Sequence, residues 1–160
     1  TQDYLAYHER LGCAISEPTQ RVVNQNEYRV DSVRINGSSD EKCLLSEPMT
    51  QCDVFVVSPD GRPPRLAWGL LRVDGTAIYG AVSDMHDAKP FESDEGFEFV
   101  IHIDLSALLP GQYTLRFHAM DPEGLRMYDT VERFITLRGE TRELGLVRIP
   151  HRWESGITNI

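Results

Sequence analysis

From Tyr28 to Ile149 the chain alternates apolar and polar positions in short runs, and turn residues separate the runs. A period of two sends successive side chains to opposite faces of a strand. Tyr28, Val30 and Ser32 begin the first run; the phase then slips, and Val33 and Ile35 carry it to NGSSDE. Asp53, Phe55 and Val57 alternate with Val54 and Val56 before SPDGRPP turns the chain. Leu66 to Val73 reads as a longer strand that stops at Asp74-Gly75, a strong hairpin signal, with Thr76 to Ser83 as its return. Phe97, Phe99, Ile101 and Ile103 alternate with Glu98, Val100, His102 and Asp104. SALLPG then makes a crossing loop, with one helical turn expected at Leu105 to Leu108. The strand that follows has an apolar edge of Tyr113, Leu115, Phe117 and Ala119 and a polar edge of Thr114, Arg116 and His118. PEG at 122 to 124 turns the chain again, Arg126 to Leu137 runs back, and Leu144 to Ile149 makes a last strand that Pro150 ends.

Eight or nine short strands without a long helix predict an all-β fold, an antiparallel β-sandwich of immunoglobulin-like type. The Cys…Trp…Cys spacing of antibody domains is absent. Residues 1 to 25 have a different texture. Tyr4, Leu5, His8 and Leu11 share one side of a helical turn or two, and Pro18 with the polar run after it reads as a linker. A chain that opens on Thr1 rather than Met suggests a fragment of something longer. The expected organisation is a linker from an upstream domain over 1–25, a sandwich over 26–153 and a tail over 154–160.

Length and composition narrow the function classes. The 160 residues suit one domain. With 41% hydrophobic and 26% charged residues the chain is ordinary globular protein, and no run approaches the ~18 apolar residues of a membrane span. A net charge of −9 argues against nucleic acid and against adsorption to anionic lipid. A neutral small molecule, a sugar or another protein remains. Cys13, Cys43 and Cys52 are odd in number and lack a CxxC pair, so they read as reduced thiols rather than as a disulfide framework or zinc site. There is no P-loop, GxSxG, HExxH or GxGxxG. No catalytic residue, metal or cofactor is therefore expected. Asp84, His86 and Asp87 in SDMHDAKP could cradle a cation, but a loop this acidic is more often a solvated one.

Sugar sites combine flat aromatic faces with polar side chains that reach hydroxyls. An anionic sugar adds a need for Arg, whose fork binds carboxylate or phosphate bidentately. In Leu66 to Val73, Ala67, Gly69, Leu71 and Val73 share one side, and Trp68, Leu70 and Arg72 the other. With the small residues packed inward, Trp68 and Arg72 face out, and Tyr79 and Ser83 join them across the hairpin. The alternative buries Trp68 and Leu70 and leaves the small residues outside. In the later strand, a core of Tyr113, Leu115 and Phe117 leaves Arg116 and His118 outward, where they could grip an anionic group. Alternatively, Arg116 pairs with Glu98 as a solvated cross-strand pair worth roughly 0.2–1 kcal/mol. His151, Arg152 and Trp153 follow Pro150 and read as an anchor, facing a partner subunit rather than a sugar.

The ordered set FEFVIHID, WGLLRVDGTAIYGAVS, LLPGQYTLRFHAMDPEGLRMYD and GLVRIPHRW resembles the C-terminal domain of the ATP-binding subunit of bacterial O-antigen polysaccharide ABC exporters, the Wzt type. The resemblance spans residues 28 to 153. It implies a non-catalytic β-sandwich, preceded by an ATPase domain, that binds the capped nonreducing end of lipid-linked O-polysaccharide. Such a domain couples chain completion to export through the transmembrane exporter subunit, in the cytoplasm at the inner face of the inner membrane. It also implies a homodimer with an exchanged C-terminal strand. Where the family often has Gly followed by Thr, Asn and Thr, this chain has Gly80, Ala81, Val82 and Ser83, so the resemblance alone assigns no ligand contact there, and Ser83 stands as a candidate on the strand reading. An immunoglobulin-like protein-interaction domain is the alternative, since fold does not fix function. A metal-assisted hydrolase built on SDMHD is the third.

Overall fold

The computed structural model describes residues 26–156. The expected helical turn at Tyr4 to Leu11, the linker around Pro18, Cys13 and residues 157–160 lie outside them. Nine strands form two sheets among the described residues. Strands β1 (Arg29–Ile35), β3 (Met49–Val57), β7 (Phe97–Asp104) and β6 (Phe91–Glu92) make one sheet, in the order β1-β3-β7-β6. Strands β2 (Lys42–Leu45), β9 (Met127–Leu137), β8 (Gly111–Met120), β4 (Arg65–Arg72) and β5 (Ala77–Val82) make the other, in the order β2-β9-β8-β4-β5. The architecture is an all-β sandwich. Every pairing is antiparallel except β2 on β9, which is parallel.

The alternation explains the packing. Val30, Val33 and Ile35 of β1, Val54 and Val56 of β3, and Phe99 and Ile103 of β7 turn inward. They meet Leu66 and Leu70 of β4, Leu115 and Phe117 of β8, and Val131 and Ile135 of β9. The phase slip near Ser32 is a β-bulge: the register against β3 shifts between Val30 and Ser32. Asp129 accepts the Val30 N–H at 2.8 Å, a tie between the two sheets at the bulge. The DG turn closes through the Gly75 N–H donating to the Arg72 carbonyl at 3.0 Å, with Gly75 at φ 88°, where a side chain would be strained. Leu105 to Leu108, expected as one helical turn, form a single hydrogen-bonded turn and no helix, with the Leu108 N–H donating to the Leu105 carbonyl at 3.0 Å. Just beyond it the Tyr113 hydroxyl donates to the Leu109 carbonyl at 2.5 Å and pins the entry to β8. A tyrosine bonded back to the chain a few residues upstream is a hallmark of immunoglobulin-like sandwiches.

Four elements differ from the sequence expectation. The short strands β2 and β6 carry too few residues to show a period. The return strand of the hairpin stops at Val82, and Ser83–His86 form a 3-10 turn. Leu144 to Ile149 is not a strand. It makes one isolated bridge, Val147 to Leu108, and leaves Leu144 and Ile149 exposed.

Candidate functional site

β4 is the strand that organises the candidate residues. It lies between β8 and β5, with Trp68 opposite Phe117 on one side and Ala81 on the other. Leu70 stands opposite Leu115 and Tyr79. Phe117 and Leu115 are fully buried, so they set which face of β4 meets the core. The face assignment of β4 is therefore corrected. Leu66, Trp68, Leu70 and Arg72 share the core-facing side, and Ala67, Gly69 and Leu71 the opposite side. The small residues are buried there too, with Ala67 packed against Val82 and Met120 in a separate cluster.

Trp68 is nevertheless not sealed. It is half-buried at the rim of the core, and Tyr79 beside it is 54% exposed. Their rings are tilted by 50° with centroids 5.5 Å apart, a favourable aromatic pair. β1 packs across onto β9 and β8. On the far side of β3 from β1 come β7 and its two-residue partner β6, and Phe97 of β7 and Glu92 of β6 share a cleft with Arg65 of β4 and with Ser83 just after β5. Among the described strands β5 and β6 are the edges there, so the aromatic pair lies at an open margin between the sheets. Arg72 is exposed at the end of β4, on the same side, opposite Tyr113. Ser83 follows β5, and its hydroxyl accepts the Leu66 N–H at 3.1 Å, which ties the strand end to β4.

Arg116 and His118 belong to the other face of the same sheet. They point away from the core, as the alternation predicts, yet Arg116 is 4% and His118 1% exposed. Arg116 pairs in register with Glu132 of β9, Nε to Oε1 at 2.7 Å. The expected pairing with Glu98 is overturned: β7 and β8 lie in different sheets, and Glu98 meets Arg34 at 3.3 Å. The SALLPG connection crosses between sheets instead of pairing its flanking strands. His118 stands opposite Thr130, its Nδ1 2.7 Å from the hydroxyl. Burial, then the Arg116 charge, pushes its pKa down to about 4, against the opposing pull of Asp129. The ring is neutral near pH 7, so it supplies no cation for an anionic ligand. The six candidate residues thus divide into two groups: Trp68, Arg72, Tyr79 and Ser83 on one side, Arg116 and His118 on the other.

The SDMHD loop folds as the 3-10 turn, where Asp84 pairs with Arg65 at 2.9 Å. Among the described residues no group of three His, Cys, Asp or Glu side chains is placed to hold a metal ion. Cys43 lies in β2 and Cys52 in β3, in opposite sheets, and both are free thiols. The His151 and Trp153 rings meet edge to face at 6.1 Å, and Trp153 is 85% exposed.

No family model matches the sequence, and no curated protein matches it. Among solved structures, the crystal structure of the C-terminal domain of wzt superposes with a TM-score of 0.60, over 94% of this chain and 95% of that one, at 13% identity. The chain is structurally similar to that domain and shares its β-sandwich fold.

Proposed function

We propose that the chain is a non-catalytic carbohydrate-binding module that recognises the capped nonreducing end of a lipid-linked O-antigen polysaccharide and links chain completion to ABC-transporter export. The single observation that carries the reading is the half-open Trp68–Tyr79 pair at the margin between the sheets. Flat rings with one exposed face suit the C–H face of a pyranose, and Arg72 adds a polar group at the end of the same strand. The Wzt-like fold supports the assignment to an exporter, where an upstream ATPase domain and a transmembrane subunit act at the inner face of the inner membrane.

The module pairs as a homodimer that exchanges the C-terminal segment. Leu144, Val147, Ile149 and Trp153 are exposed apolar side chains in a segment with one bridge of its own, which favours a partner surface. Calorimetric titration with short, capped O-polysaccharide fragments tests the function. Binding that Trp68→Ala abolishes supports it. Silence towards every cap, with capture of a protein partner after all glycans are removed, would favour an immunoglobulin-like interaction domain instead.

A further inference from the structure

A second concavity lies at the corner where β5 ends and β4 begins. It is a cleft of about 460 Å³, within the size range of small-ligand sites. Pro63, Pro64, Pro90 and Pro122 form its walls, and buried Phe97 adds an apolar surface. Proline rings fix the backbone beneath them, so the cleft is shaped before any ligand arrives. Ser83 borders it and also follows the last residue of β5, four residues beyond Tyr79. Four strand residues span roughly 13 Å, so the aromatic pair and the cleft lie one after the other along the same open margin.

The charges in the cleft select its occupant. Arg65 and Asp84 neutralise each other at 2.9 Å. Asp87, Lys89 and Glu92 remain, with side chains that hold no ion pair among the described residues. That leaves two carboxylates against one ammonium, on a chain of net charge −9. A carboxylate only accepts hydrogen bonds and an ammonium only donates them. A hydroxyl does both, so a polyol satisfies all three groups, whereas a phosphate or carboxylate meets repulsion from Asp87 and Glu92.

We propose that this cleft is a second glycan subsite and that it takes a neutral, hydroxyl-rich sugar residue rather than a phosphorylated or uronic one. The inference rests on the glycan-binding reading and extends it from one sugar contact to an oligosaccharide.

The test uses the isotope-labelled full chain. The probes are mannotetraose, galactotetraose and maltotetraose, their disaccharides, and the same tetrasaccharides bearing a nonreducing terminal 6-phosphate. A neutral tetrasaccharide is expected to shift both the Trp68 indole N–H and the amides from Ser83 to Lys89, whereas its disaccharide shifts Trp68 alone. The double variant Asp87→Asn, Glu92→Gln is expected to lower the ratio of tetrasaccharide to disaccharide affinity about tenfold, with an unchanged far-ultraviolet spectrum. A response at Trp68 with none at Ser83 to Lys89 overturns the subsite and leaves the aromatic site standing. Tighter binding of a phosphorylated tetrasaccharide than of its neutral parent overturns the charge argument. No response at Trp68 to any probe overturns the glycan reading and the subsite with it.

Discussion

Protonation of His118 should govern how stability falls with mild acid. Its folded pKa is pushed down to about 4 from 6.5 because a buried imidazolium would lose water and face Arg116, while Asp129 only partly offsets both. In the unfolded chain the same ring titrates near its ordinary value. The unfolded state therefore binds more protons as pH drops through 6.5, and stability falls until the folded pKa is passed. The contribution is complete above pH 6.5 and lost by about pH 4. Each pH step of one between the unfolded and folded pKa values is worth about 1.4 kcal/mol, so the loss grows to about 3 kcal/mol, and about 2 kcal/mol of it is gone by pH 5. Urea unfolding between pH 7.5 and 5 measures this, above the range where carboxylates held by Arg62 and Arg148, such as Glu123 and Glu143 with lowered pKa values, begin to protonate. The comparison is His118→Gln, which stays neutral throughout. The variant is expected to show a nearly flat pH response over that window. If wild type and variant lose the same stability between pH 7 and 5, proton exclusion at His118 is not the cause and the reasoning fails.

Tyr113→Phe removes the hydroxyl bonded to the Leu109 carbonyl and leaves that carbonyl without this donor; it is expected to cost about 1–2 kcal/mol in urea unfolding. In a Cys13→Ser background, Cys43 is expected to react with a maleimide well before Cys52, whose thiol is buried and pushed up to about 12. Equal rates by mass spectrometry would show that Cys52 is reached by solvent. Trp68→Ala is expected to weaken glycan binding at least tenfold while lowering stability by less than the ~3–5 kcal/mol of a fully buried Trp, because the ring is only half-buried; calorimetry and urea unfolding read the two effects separately.

The strands with one solvated face were legible in the alternation. β1 shows its bulge as a phase slip, and β7 shows Phe97, Phe99 and Ile103 inward with Val100, His102 and Asp104 exposed. β4 and β8 were not legible in the same way, because both of their faces are buried. A strand buried on both faces loses the contrast that marks inside from outside. On β4 side-chain size is the cue that remains, and Ala67 and Gly69 point it to the wrong face. On β8 Arg116 and His118 read as solvated because they are polar, although Glu132 and Thr130 stand opposite them in register. Arg126 to Leu137 contained those partners, and aligning it against β8 through the PEG turn is the signal that would have found them. The cleft at Ser83 was out of reach, since its walls come from loops as far apart as Pro63 and Pro122.

The separation of the two residue groups across one sheet has a practical consequence for engineering. Arg72 and Tyr79 sit at a margin where their side chains are exposed, while Glu132, Arg116, Thr130 and His118 are matched pairs on the reverse side. On the proposed glycan-binding reading, a combinatorial library randomised at Arg72 and Tyr79 can therefore explore new preferences while the matched pairs stay as they are. The same diversity introduced at Arg116 or His118 would mostly yield chains that fail to fold.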